Sequence, residues 1–275
     1  MVLSQDSLRV GSAVDKGKLS LVIGTEAVLY TGTLIALDRL WYRDFPRSSF
    51  HHFNDNAEWL QMDKVGHVVT AYYVGLVGMD ALRWAGVDEV KSRWYGGGLG
   101  WFFLSSVEVL DGFSDEWGFS SGDMIANTLG MGMLVAQDAA WHEQRVMLKF
   151  SFKQTDYAPL RPGTLGDGWN EELLKDYNGQ TYWLSANIHS FLSEESRFPK
   201  WVNLAVGYGG DGMVTARDDA LLVHPLSSIY YQQQRQFYFG PDLDLWRIPT
   251  QKKGMKTVLK ALGFIKWPLP ALVLQ

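Results

Sequence analysis

Long, weakly polar stretches in the first half of the chain constrain its fold more than any other feature. Residues 19–42 carry Glu26 as their only charge before Asp38, and residues 65–84 carry His67 near their start and Asp80 near their end. Residues 94–110 contain the run Gly96-Gly97-Gly98-Leu99-Gly100 followed by Trp101-Phe102-Phe103, and residues 124–136 form a shorter fourth stretch with Gly130 and Gly132. A bilayer-crossing helix needs roughly 20 mostly apolar residues, so the first three stretches reach that length and the fourth only marginally. Gly96 and Gly100 stand at the spacing that lets helix backbones approach closely in lipid. Such glycine density is a poor choice for an ordinary soluble helix.

If the four stretches run up and down in turn, Trp41, Trp59 and Trp117 fall at one end, and Trp84, Trp94 and Trp141 at the other. Tryptophan belts of this kind suit the headgroup boundary of a bilayer. The same topology gathers polar residues at the first end. Asp63 and His67 lie four apart at the start of the second helix, and Glu108 and Asp111 lie three apart at the end of the third. Asp123 and Asn127 lie four apart at the start of the fourth, with Ser121 or Asp123 as its cap. Carboxylates outnumber cations at this end, whereas the other end holds Lys16, Lys18, Arg83, Lys91, Arg93, Arg145 and Lys149 with acids nearly in balance. In an inner membrane, the basic end would face the cytoplasm.

Ionisable groups inside membrane segments are costly and tend to be paired or functional. His67 with Asp63, Glu108 and Asp123 therefore forms the candidate catalytic set, beside Lys64, Asp111 and Asn127 as further members of the polar cluster. His67, Glu108 and Asp123 offer nitrogen and oxygen donors suited to a divalent metal such as Zn or Mn, with Asn127 in the outer shell. Alternatively, His67 acts as a general acid or base oriented by a carboxylate. Structural roles compete with these: Asp63 as a helix cap, Lys64 as a snorkelling surface charge, and His51-His52 with Asn54, Asp55 and Asn56 as a mobile polar loop. No Ser elbow, P-loop or dinucleotide fingerprint is written here.

Beyond residue 145 the texture changes. Residues 146–152 alternate apolar with polar, and residues 201–208 and 236–248 do so more loosely, which predicts strands. Asp242, Asp244 and Arg247 against Leu243, Leu245 and Trp246 predict a strand with one wet face. Residues 170–177 predict a short helix, and residues 252–264 a basic amphipathic one ahead of an apolar tail. The reading is a mainly α, membrane-associated bundle of about four helices followed by an α+β C-terminal domain. Its divisions are residues 1–17 as an N-terminal segment, 18–145 as the bundle and 146–275 as the β-containing domain. Val2-Leu3-Ser4-Gln5 before Asp6-Ser7 reads like the tail of an export signal.

Composition narrows the function classes. Twenty-five Lys and Arg against 30 Asp and Glu give a net charge of −5, which argues against a nucleic-acid groove. The absence of Cys excludes disulfides, thiolate metal sites and a Cys nucleophile within this sequence.

The string Asp63-Lys64-x-x-His67, then Glu108 and Asp111, then Trp117-Gly118-Phe119-Ser120-x-x-Asp123-x-x-x-Asn127-x-x-Gly130 resembles the YfiM-like family of envelope lipoproteins. Its order is also similar to that of the VanZ-like membrane proteins, and the resemblance covers about residues 60–137. It implies a Gram-negative envelope location, with the outer membrane favoured over the inner, and it implies no defined reaction. The missing Cys departs from the lipid-anchored pattern. Two functions follow as expectations. The first is an accessory or assembly subunit, docking to another envelope protein through its Gly-rich helices and aromatic C-terminal domain, with membrane lipid around it. The second is a lipid- or cell-wall-modifying enzyme using the His/carboxylate site.

Overall fold

A computed structural model describes residues 13–43, 45–217, 223–224, 227–228 and 231–275. The export-signal reading of residues 2–7 and the side chain of Trp41 lie outside the described part. The chain forms two compact units: residues 1–54 with 70–142, and residues 55–69 with 143–275.

The first unit is a membrane-associated helical bundle. Helix α1 (Lys16–Leu37) opens at Asp15, whose carboxylate accepts the Gly17 and Lys18 N–H groups at 3.0 Å. Only Val22 on α1 is buried, against Leu82 and Ala85, while Leu21, Ile23, Val28 and Leu29 are exposed. A helix this apolar on all sides is suited to lipid rather than water. Helix α2 (Met62–Trp84), whose residues 70–84 belong to this unit, follows, then α3 (Leu99–Asp111) and α4 (Ser121–Trp141). Among the described helices, α1 and the stretch Trp59–Trp84 are long and apolar enough to cross a membrane. The third expected span is interrupted: a π-helical turn occupies Ser92–Gly96, and α3 proper has 13 residues. The fourth grows instead, to 21 residues.

The glycines explain how α2 and α3 meet. A Cβ on Gly100 would stand 2.2 Å from the Ala71 carbonyl oxygen, and one on Gly75 would stand 2.4 Å from that of Gly97. Residues 71, 75 and 78 of α2 thus lie against 100, 97 and 96 in turn, an antiparallel crossing with backbones in direct contact. Helix α4 closes the group, with Val135 and Leu134 at Gly97 and the Trp101 indole N–H donating to Thr128 Oγ1 at 3.0 Å. This glycine face was expected to receive a partner protein; α2 of the same chain occupies it.

At the end that holds Trp84, Trp94 and Trp141, the buried Asp138 carboxylate accepts Arg83 at 2.7 Å on both oxygens and Arg93 Nε at 2.6 Å. Asp138→Ala strands two cations and is expected to cost about 3–5 kcal/mol in detergent unfolding experiments; a loss below ~1 kcal/mol would show that the cluster is not buried.

The second unit is a mixed α+β domain. Strands β1 (Val146–Phe152), β2 (Gln180–Asn187), β3 (Val202–Asp211), β4 (Gln234–Leu243) and β5 (Leu272–Leu274) form one antiparallel sheet in that order. Helix α5 (Trp169–Lys175) precedes β2, and α6 (Lys253–Ala261) lies between β4 and β5. The free edge of β1 bonds residues 264–266, through Phe150 N–H to Phe264 O at 2.8 Å and Lys266 N–H to Phe150 O at 2.9 Å. Both sheet edges are therefore tied to the short stretch 264–274. The wet face expected around Asp242 and Asp244 is corrected: both are buried, β4 ends at Leu243, and residues 245–247 turn into a short helix.

Candidate functional site: a His and carboxylate cluster on the bundle helices

One residue, Ser120, ties Glu108 and Asp123 to the same turn of the bundle. Glu108, in the last turn of α3, is fully buried, and its Oε2 accepts the Ser120 N–H at 3.2 Å. Ser120 is also the cap of α4, where its Oγ accepts the Asp123 N–H at 3.1 Å. The sequence reading placed this cap at Ser121 or Asp123; it stands one residue earlier. Asp123 is buried in the first turn of α4, and Asn127 is fully buried one turn further on. The turn joining α3 to α4 is pinned from outside. His51 N–H donates to Gly112 O, Phe119 N–H to His51 O and Phe53 N–H to Phe119 O. Residues 51–53 are therefore backbone-paired, which corrects the mobile-loop expectation.

Asp111 has a different role. Tyr42 Oη donates to its Oδ1 at 2.6 Å, and burial together with the Asp111 charge pushes the Tyr42 phenol well above its ordinary value. The pair ties the chain after α1 to the end of α3. Trp117 stacks edge-on against Tyr42 and Phe45.

Helix α2 supplies the remaining candidates. Three consecutive left-handed residues, Trp59, Leu60 and Gln61 at φ 48°, 51° and 63°, set its start. Non-glycine residues hold such angles only when their surroundings over-determine them. Here Trp59 N–H donates to Ala216 O at 2.7 Å, Tyr208 Oη to Leu60 O, and Arg235 to Gln61 Oε1 at 2.7 Å. Asp63 and Lys64 follow at once. Lys64 is buried, not snorkelling, with its ammonium 2.5 Å from Asp55 and 2.9 Å from Asp63. His67 stands one turn beyond Asp63 and one turn before Ala71, the residue against which Gly100 packs.

Ligand-bearing atoms of His67, Glu108 and Asp123 all lie within 4.8 Å of one another. Those of Asp55, Asp63 and Asp123 do so as well, so Asp123 belongs to both groups. One imidazole and two carboxylates, two of the three residues buried, form a donor set that fits Zn or Mn. The helices thus bring together His67, Glu108 and Asp123, and place Asp63 in the adjoining group. Among the described residues, Asp111, His51 and His52 belong to neither group. Asp55 was missed as a member. Its place beside Asn54 and Asn56 reads as a solvated loop, and no local spacing reveals that its partner is Lys64.

Residues 51–137 match the family model described as "Predicted periplasmic lipoprotein (DUF2279)". No curated protein matches the chain, and no solved structure does. The match supports an envelope-associated protein and spans every residue of both carboxylate groups. It is coarser than the resemblance drawn from the motif, because it singles out neither the YfiM-like nor the VanZ-like proteins.

Proposed function

We propose that the chain is an envelope enzyme that hydrolyses or transfers groups on a lipid or cell-wall substrate, with His67, Glu108 and Asp123 as its centre. The observation that carries this reading is the grouping of an imidazole and two carboxylates within 4.8 Å, with His67 on a helix long and apolar enough to cross a membrane. A polar set of this kind is costly in such a setting unless it is paired or used. A divalent metal held by the three side chains would polarise a carbonyl or phosphoryl oxygen. Without metal, the His67 imidazole would act as general acid or base, with a neighbouring carboxylate orienting its ring.

The neighbouring residues support the assignment. The Ser120 N–H donates to the Glu108 carboxylate and its Oγ accepts the Asp123 backbone N–H, so both residues are tied to one turn. Lys64 pairs with both Asp55 and Asp63, so an ammonium already stands in the second acidic group and offsets one of its charges. A single-metal centre at His67 is therefore favoured over a two-metal one. The accessory-subunit reading loses its main support, because α2 fills the glycine face of α3.

The test is an assay of detergent-purified full chain on phospholipid and on peptidoglycan fragments, with products resolved by mass spectrometry. Expected is release or transfer of a group that a strong chelator slows by at least about 100-fold and added Zn or Mn restores. No product from either substrate class, with the metal retained, would reject the enzyme reading.

A further inference from the structure

The C-terminal sheet buries a polar network on one face. That face carries Lys149, Ser185, Asn187, Asn203 and Asp242 beside the apolar Met147, Trp183 and Ala205, all buried. Lys149 Nζ lies 2.7 Å from Asp242 Oδ2 and donates to Leu243 O at 2.5 Å, with both side chains at 0% exposure. Ser185 Oγ donates to the same carboxylate oxygen at 2.7 Å, Asn203 donates to Ser185 Oγ at 2.9 Å, and Asn187 donates to Asn203 at 2.7 Å. Lys266, on the stretch that bonds the edge of β1, lies 3.7 Å from the other Asp242 oxygen and over the Trp183 ring.

The opposite face follows from the register. Leu184, Val206, Phe239 and Leu272 stand opposite one another across β2, β3, β4 and β5, with Leu204 and Phe237 in the flanking rows. All six are exposed, Val206 at 49% and Leu272 at 69%. An antiparallel sheet in water turns its apolar face inward and its polar face out. Polar-in and apolar-out is the arrangement of sheets that face hydrocarbon.

Helix α6 carries the same message with a charge attached. Met255, Val258, Leu259 and Leu262 recur at helical spacing, yet Met255 and Val258 are 48% and 50% exposed. Lys252, Lys253, Lys256 and Lys260 supply positive charge beside that stripe, with no acid between residues 248 and 275. A helix of nine residues is marginal in water unless its apolar stripe is covered. A short apolar stripe flanked by lysines suits the surface of an anionic bilayer.

We infer that the outward face of the C-terminal sheet and the apolar stripe of α6 are seated in the interfacial region of a bilayer containing anionic lipid. The sheet and α6 are then lipid-facing elements in their own right. The occupant is lipid rather than a protein partner because the lysines of α6 complement anionic headgroups and the sheet offers an uncharged row across four strands.

The absence of Cys makes the test direct, since single Cys residues can be introduced without altering anything else. Full-length protein bearing Val206→Cys, Phe239→Cys or Val258→Cys is labelled with a polarity-sensitive fluorophore. It is then reconstituted in vesicles of phosphatidylcholine, with or without phosphatidylglycerol, using Glu195→Cys in an exposed loop as the aqueous reference. Expected are blue-shifted emission and quenching by nitroxide-labelled acyl chains at 206, 239 and 258 but not at 195. The signal at 258 should grow with phosphatidylglycerol, and in a Lys253→Glu, Lys256→Glu, Lys260→Glu background that gain should vanish, each lost lysine being worth about fivefold in partitioning. Water-like emission at 206 and 239 would overturn the proposal. So would disulfide-linked dimers through Val206→Cys, which would place a second copy on this face.

Discussion

Asp123→Ala is expected to abolish turnover and metal binding together while leaving a folded, membrane-inserted protein. Asp123 is the residue shared by both carboxylate groups, so its removal takes a donor from each. Its backbone N–H remains capped by Ser120 Oγ, which is why α4 is expected to survive. Losing one of three protein ligands should lower metal affinity by well over about 100-fold, since even outer-shell losses reach 10–100-fold. His67→Ala should match it in activity. Complementation of a deletion phenotype by both variants at wild-type levels would remove the site from the account.

The second large effect lies in the helix crossing. Gly100→Leu places its first side-chain carbon 2.2 Å from the Ala71 carbonyl oxygen, on backbone that cannot swing aside. Helices α2 and α3 must then separate along their whole contact, which should cost at least ~3 kcal/mol, a large part of a typical 5–15 kcal/mol stability. Because α2 carries His67 and α3 carries Glu108, activity should fall with the fold. Gly132→Leu is the matched control, since a Cβ there meets nothing within 4 Å. Equal thermal stability for the two variants in detergent would show that the backbones do not meet.

These effects also mark what the sequence discloses. The number of bundle helices and the approach of His67 to Glu108 and Asp123 were legible, because span length and helix direction follow from apolar runs. Which helix would fill the Gly96/Gly100 face was not: the spacing states that some backbone approaches, and only the antiparallel match with Ala71, Gly75 and Gly78 names it. Lys64 illustrates a second limit. A lysine beside Asp63 reads as a surface charge, and its burial depends on Asp55, nine residues earlier in a loop.

The sheet shows a third limit. Period-two alternation around Asp242 was visible, but alternation does not say which face is buried. The usual assumption, acids outward, failed because Lys149 of β1 supplies the partner that lets Asp242 sit inside. Likewise, the left-handed turn at Trp59–Gln61 has no glycine to announce it, being imposed by Ala216, Tyr208 and Arg235 from distant parts of the chain. The basic amphipathic helix expected over residues 252–264 does form, as Lys253–Ala261.

Elemental analysis of the detergent-purified full chain, run beside the His67→Ala protein, decides whether the cluster holds a metal. Zn or Mn close to one ion per chain is expected in the wild type, with its loss in the variant. Purified, active protein without stoichiometric divalent metal, or equal metal in both proteins, would contradict a metal centre at His67.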